Sequence, residues 1–86
     1  MPGTEISAYP NPVSSNLTIE LEAINTGTYS VELMDLSGRV FYSEVMNAVT
    51  GLNKSVVDVS NYSKGVYTLS VKNNAGFAKQ IRVAVQ

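Results

Sequence analysis

The sequence predicts an all-β protein, a two-sheet antiparallel β-sandwich of immunoglobulin-like architecture with about seven strands. Apolar and polar residues alternate with a period of two along most of the chain, and no stretch sustains the i, i+3, i+4 spacing of a packed helix. Turn chemistry recurs between the alternating runs, at Asn25-Thr26-Gly27, Asp35-Leu36-Ser37-Gly38 and Asn73-Asn74-Ala75-Gly76. The 86 residues, 44% apolar and 15% charged, suit one small domain with a modest core.

Ile6 to Tyr9 reads as a first strand. It runs into Pro10 and Pro12, which lack backbone donors and confine the segment to a sheet edge or a strand-switching kink. Residues 17–22 set Leu17, Ile19 and Leu21 against Thr18, Glu20 and Glu22. In the third strand Tyr29, Val31 and Leu33 share a face, and Gly38 supplies the positive φ of a tight hairpin. Arg39 to Val45 returns. A longer loop is expected from Met46 to Asn53, followed by a short buried strand over Ser55 to Val59. Ser60 to Gly65 reads as one capped turn ending at a glycine. Val66 to Lys72 turns Tyr67, Leu69 and Val71 to one face, and Phe77 to Val85 closes the pattern with Ile81, Val83 and Val85 opposite Gln80, Arg82 and Ala84.

The chain has no His and no Cys, so the common general base, the thiol nucleophile and the soft metal ligands are missing; no catalytic, metal or cofactor site is expected, and the protein is not read as an enzyme. Glu20 and Glu22 stand about 6.5 to 7 Å apart on one strand face, a spacing an inverting glycosidase could use, but any hydrated strand with two acids has it. Asp35 and Asp58 sit at strand ends, where aspartate caps turns rather than builds a calcium site. Tyr29 and Tyr67 fall on the core-facing set, which favours packing over sugar stacking, whereas Tyr42, Tyr62 and Phe77 have no evident side. A net charge of −1 gives no footprint for nucleic acid, and no small-molecule substrate is expected. Asn16-Leu17-Thr18, Asn53-Lys54-Ser55 and Asn61-Tyr62-Ser63 match the glycosylation pattern, but with this much Asn, Ser and Thr about one or two matches arise by chance, so they carry little weight. The start has neither the basic region nor the apolar segment of a signal peptide; residues 1–5 read as an engineered start or a linker to an upstream cargo, and residues 6–86 as the domain.

One ordered set of motifs goes further. Tyr9-Pro10-Asn11-Pro12 comes first, then Leu17-Thr18-Ile19, Val31-Glu32-Leu33-Met34-Asp35-Leu36-Ser37-Gly38-Arg39-Val40, Val57-Asp58-Val59-Ser60, Gly65-Val66-Tyr67-Thr68-Leu69 and Lys79-Gln80-Ile81-Arg82-Val83. Each is weak alone, and together, in this order, the set resembles the type A C-terminal sorting domain of type IX (Por) secretion substrates, from about Ser7 to the last residue.

That resemblance implies an address label at the C-terminus of exported Bacteroidetes proteins, among them proteases, adhesins and glycoside hydrolases. It implies a cargo brought to the periplasm by its own Sec signal, then carried through the outer-membrane translocon to the cell surface or medium. It further implies removal of the domain by a sortase-like surface peptidase, with a cut near or before residues 3 to 8, and attachment of the cargo to lipopolysaccharide. Pro10 and Pro12 match the family's opening Pro-x-Pro, Gly38 and Arg39 its Gly-Arg, and Gly65 and Tyr67 its Gly-x-Tyr. Lys79, Ile81 and Val83, with Arg82 among them, match its final strand.

Arg39 and Lys79 are the stronger recognition residues, because exposed charges contribute only about 0 to 1 kcal/mol to folding. Strand addition to the last strand is the expected mode of recognition. The rival readings are a fibronectin-like or carbohydrate-binding module and an adhesin-type structural module. An uncovered edge strand also leaves self-association open.

Overall fold

A computed structural model describes residues 4–86. Seven strands run in the order β1 (Glu5–Tyr9), β2 (Asn16–Ala23), β3 (Gly27–Asp35), β4 (Val40–Ala48), β5 (Gly51–Asp58), β6 (Gly65–Asn73) and β7 (Ala78–Val85). They form two antiparallel sheets, β1-β2-β5 and β4-β3-β6-β7. This is the two-sheet sandwich that the alternation predicts. As in immunoglobulin variants, the fourth strand extends the sheet of the third. Residues 1–3 of the expected start lie outside the described residues.

The alternation sets the core. Leu17, Ile19 and Leu21 of β2 face Tyr29, Val31 and Leu33 of β3 and Tyr67, Leu69 and Val71 of β6, each at most 4% exposed. Val83 and Val85 of β7 complete the layer. Each such aliphatic side chain contributes about 1.5–3 kcal/mol on burial. Among the described residues no polar or charged residue is buried.

Two expectations about the middle of the chain are corrected. Residues 46–53 are not a long loop: β4 continues to Ala48 and β5 begins at Gly51, so Val49 and Thr50 alone join them across the two sheets. Nor is β5 a short buried strand. It is an edge strand on which Leu52 and Val56 are exposed and Val57 alone is buried. Its inward positions 53 and 55 are Asn and Ser, both half-buried, and Ser55 faces β4. There the Ser55 and Tyr42 hydroxyls both donate to Glu44 Oε1, each at 2.7 Å. Burial, followed by that bond to Glu44, raises the Tyr42 pKa above the usual phenol value.

The strand β4 also carries a bulge. Leu33 pairs with Tyr42 but the next residue, Met34, pairs with Val40, leaving Phe41 without a partner in register. Two residues of β4 therefore oppose Leu33, and both the Phe41 and the Tyr42 ring pack against the core.

Candidate functional site

Strand direction brings four segments to one end of the sandwich: the connection after β1, the β3–β4 hairpin, the β5–β6 connection and the end of β7. Each is held by its own short-range bonds. In the hairpin the Gly38 amide donates to Asp35 O at 3.0 Å and the Asp35 amide to Arg39 O at 3.0 Å. Asp35 Oδ1 accepts from the Ser37 hydroxyl (2.7 Å), the Arg39 amide (2.9 Å) and the Ser37 amide (3.0 Å). These bonds, the Ser37 hydroxyl foremost and the Arg39 amide next, hold the Asp35 pKa below the usual carboxylate value. Gly38 has φ of 92° with open space where a Cβ would stand, so the backbone angle and not crowding requires glycine there.

Arg39 lies just past this turn. Its Nε stands 3.8 Å from Asp35 Oδ2, its guanidinium lies 4.8 Å from the Phe41 ring centroid, and its side chain is 75% exposed. Phe41 packs edge-on against Tyr67, 5.5 Å between centroids, and Tyr62 packs against both rings. Tyr62 thereby finds its place, as Phe77 does edge-on against Tyr29 near the opposite end.

Tyr67 has a second role. Near the start of β6, its hydroxyl donates 2.7 Å back to the carbonyl of Ser63, four residues upstream. This is the tyrosine corner of immunoglobulin-like sandwiches, and it pins the β5–β6 connection. Asp58 caps the same connection by accepting from the Ser60 amide (2.9 Å) and hydroxyl (2.6 Å). Between the hairpin and residues 63–67 lies a depression of about 370 Å3, walled by Arg39, Phe41, Gly65 and Tyr67 among others, with exposed Leu36 and Val66 at its rim.

The Pro10 and Pro12 segment leaves the β1 edge and crosses to β7; both Tyr9–Pro10 and Asn11–Pro12 are cis. Neither proline has an N–H to give. The bonds come from Asn11, whose Nδ2 donates to Arg82 O at 2.9 Å and whose Oδ1 accepts from the Ala84 amide at 2.9 Å. The Val13 amide then donates to Ala84 O at 2.9 Å, and the Gln86 amide to Val13 O at 2.8 Å. This strap covers the lower part of the β7 edge.

The residues singled out in the sequence thus divide. Pro10, Pro12, Gly38, Arg39, Gly65 and Tyr67 gather at one end, with Val83, the register partner of Tyr67, buried beneath them. Ile81 is half-buried against the core. Lys79 stands away from the cluster, paired with Val71, six residues and roughly 20 Å of strand from Val85. Sequence reasoning missed Asn11, the one residue between the prolines able to donate and accept, and it missed Phe41, which no alternation rule turns inward.

The expected cut near or before residues 3 to 8 falls partly on residues 1–3, which lie outside the described residues. Glu5 to Tyr9 are paired with β2. The family model of the secretion system C-terminal sorting domain matches residues 7–86. No curated protein matches the chain.

Proposed function

The chain belongs to the family of secretion system C-terminal sorting domains, and from that membership we propose that it directs an upstream cargo through the type IX translocon across the outer membrane and is there read by a sortase-like peptidase. A sorting domain of this kind marks a secreted protein bound for the outer membrane or the extracellular space. The carrying observation is the convergence of Arg39, Gly65 and Tyr67, drawn from distant parts of the sequence, around one 370 Å3 depression at the end of the sandwich that also holds Gly38 and the Pro10–Pro12 strap. A receptor docking there meets Arg39, whose surroundings leave its charge open to water. Gly38, Gly65 and Tyr67 shape the backbone that presents it. The peptidase cuts upstream of Glu5, because Glu5 to Tyr9 are paired in β1 and a protease needs unpaired extended chain.

A reporter bearing a Sec signal and this chain at its C-terminus, expressed in a Bacteroidetes host with and without a working translocon, tests the reading. Export is expected only with the translocon. Arg39→Ala should lower it while leaving stability within about 0.5 kcal/mol, as for an exposed surface change. Retention of the wild-type reporter in the periplasm of both strains overturns it.

A second reading, a carbohydrate-binding module, draws on the opposite end of the sandwich. A depression of about 510 Å3 there is lined by Asn25, Thr26, Asn73, Asn74, Tyr29 and Phe77 among others, with no charged residue among the described ones. Glycan affinity of the chain, measured in the absence of any translocon, separates the two readings.

A further inference from the structure

The strap closes the β7 edge only in part. In an antiparallel ladder the N–H and C=O of a residue point to the same side, and the side alternates along the strand. The strap takes Ala84 N, Ala84 O and Arg82 O, so the backbone of even-numbered β7 residues points away from β6. By the same alternation Arg82 N and the polar groups of Gln80 and Ala78 face outward, above the last strap bond. Ala78, Lys79, Gln80 and Arg82 are all exposed. The result is an open stretch of edge long enough for a short added strand.

Charge indicates what adds. Residues 64–86 hold Lys64, Lys72, Lys79 and Arg82 and no acid, while residues 4–63 hold Arg39 and Lys54 against all seven acids. The ion pairs among the described residues are Arg39 with Asp35 and Lys54 with Glu20, which leaves Lys79 and Arg82 without one. The other edges differ: β1 carries Glu5, β4 carries Glu44, and β5 carries one charge of each sign, Lys54 and Asp58. Lys79 and Arg82 differ in parity and so flank the edge on both faces of the sheet.

We infer that the Ala78–Arg82 edge of β7 accepts an extended acidic segment of a partner as a fifth strand of its sheet. Main-chain bonds to Gln80 and the Arg82 amide supply register, and carboxylates on both faces of the incoming strand meet Lys79 and Arg82. The inference rests on the sorting reading for the process it serves, and it adds the β7 edge as a second contact surface, apart from the Arg39 depression.

The reporter fusion tests it with three variants. Gln80→Pro removes one outward N–H without touching the β6 ladder, a change that edge strands tolerate. Lys79→Glu with Arg82→Glu reverses the charge, and Lys54→Glu makes the same kind of change on the other sheet. Export is expected to fall at least about tenfold, equivalent to roughly 1.4 kcal/mol of affinity, for the first two. Their unfolding temperatures should stay near wild type, and Lys54→Glu should be exported normally. Normal export of folded Gln80→Pro overturns the added strand. If Gln80→Pro fails to fold, normal export of the charge-reversed pair overturns the acidic partner. Failure of the wild-type chain to be exported is a different result, which removes the sorting reading and this one with it.

Discussion

Asp35 and Asp58 show how much a single residue type says before any fold is known. Each is followed two positions later by serine, and each carboxylate accepts both the amide and the hydroxyl of that serine. Turn-capping by aspartate is therefore legible in the sequence alone. Both acids have pKa values held below the usual 3.8, through the Ser37 hydroxyl and Arg39 amide for Asp35 and through the Ser60 hydroxyl and amide for Asp58. A depressed folded pKa means that the folded state binds protons less readily than the unfolded chain. The stability these groups lend is complete above the unfolded value and is lost as pH falls through the folded one. Urea midpoints measured from pH 7 down to pH 3 should decline below pH 4, and less so in the Asp35→Asn, Asp58→Asn double variant; equal declines would remove these turns as the acid-sensitive sites. Other residues were half legible. Parity puts Tyr67 in the core, but its bond to Ser63 depends on the path of a connection that periodicity does not describe. Asn11 reaches partners 71 and 73 residues away, beyond any local rule.

Strands were legible where one face is buried and the other wet. This holds for β2, β3, β6 and β7, which enclose the core, and it fails for β5. Along β5 the inward positions 51, 53 and 55 are Gly, Asn and Ser, and the outward positions 52 and 56 are Leu and Val, so the pattern is inverted along this half-buried edge. Gly51 and Asn53 then look like loop residues. Asn53 in fact builds the tight passage between sheets: its Oδ1 accepts from the Val49 amide at 3.0 Å, and its Nδ2 donates to the carbonyls of Val49 (2.8 Å), Gly51 (3.1 Å) and Leu21 (3.2 Å). Replacing it leaves half-buried carbonyls short of a donor. Asn53→Ala is expected to cost about 1–3 kcal/mol by denaturant unfolding, with faster hydrogen exchange at the Val49 amide. A loss below about 0.5 kcal/mol would mean that water replaces the amide without penalty.

At the scale of the molecule, the question is whether a receptor reads a fold or a string. The gathered end requires the whole sandwich, because Asn11 is tied to the last strand and the Arg39 hairpin meets Tyr67 through the β3–β6 ladder at Asp35 and through Phe41. Deleting residues 77–86 abolishes export on either view, since it removes β7 along with any linear signal there. A core substitution outside the tail separates the two. Leu33 is fully buried, in register with Tyr42 and Leu69 on its two sides. Leu33→Ala should cost about 2–5 kcal/mol. A domain of this length has roughly 4–13 kcal/mol in all. The variant is thus pushed toward partial unfolding while residues 64–86 keep their sequence. If the folded sandwich is read, export should fall in step with the folded fraction and recover partly in cooler cultures, nearer the temperature of maximum stability. Unchanged export from a Leu33→Ala fusion shown to be largely unfolded would place the signal in the linear tail, and the convergence of residues at one end would then serve folding alone.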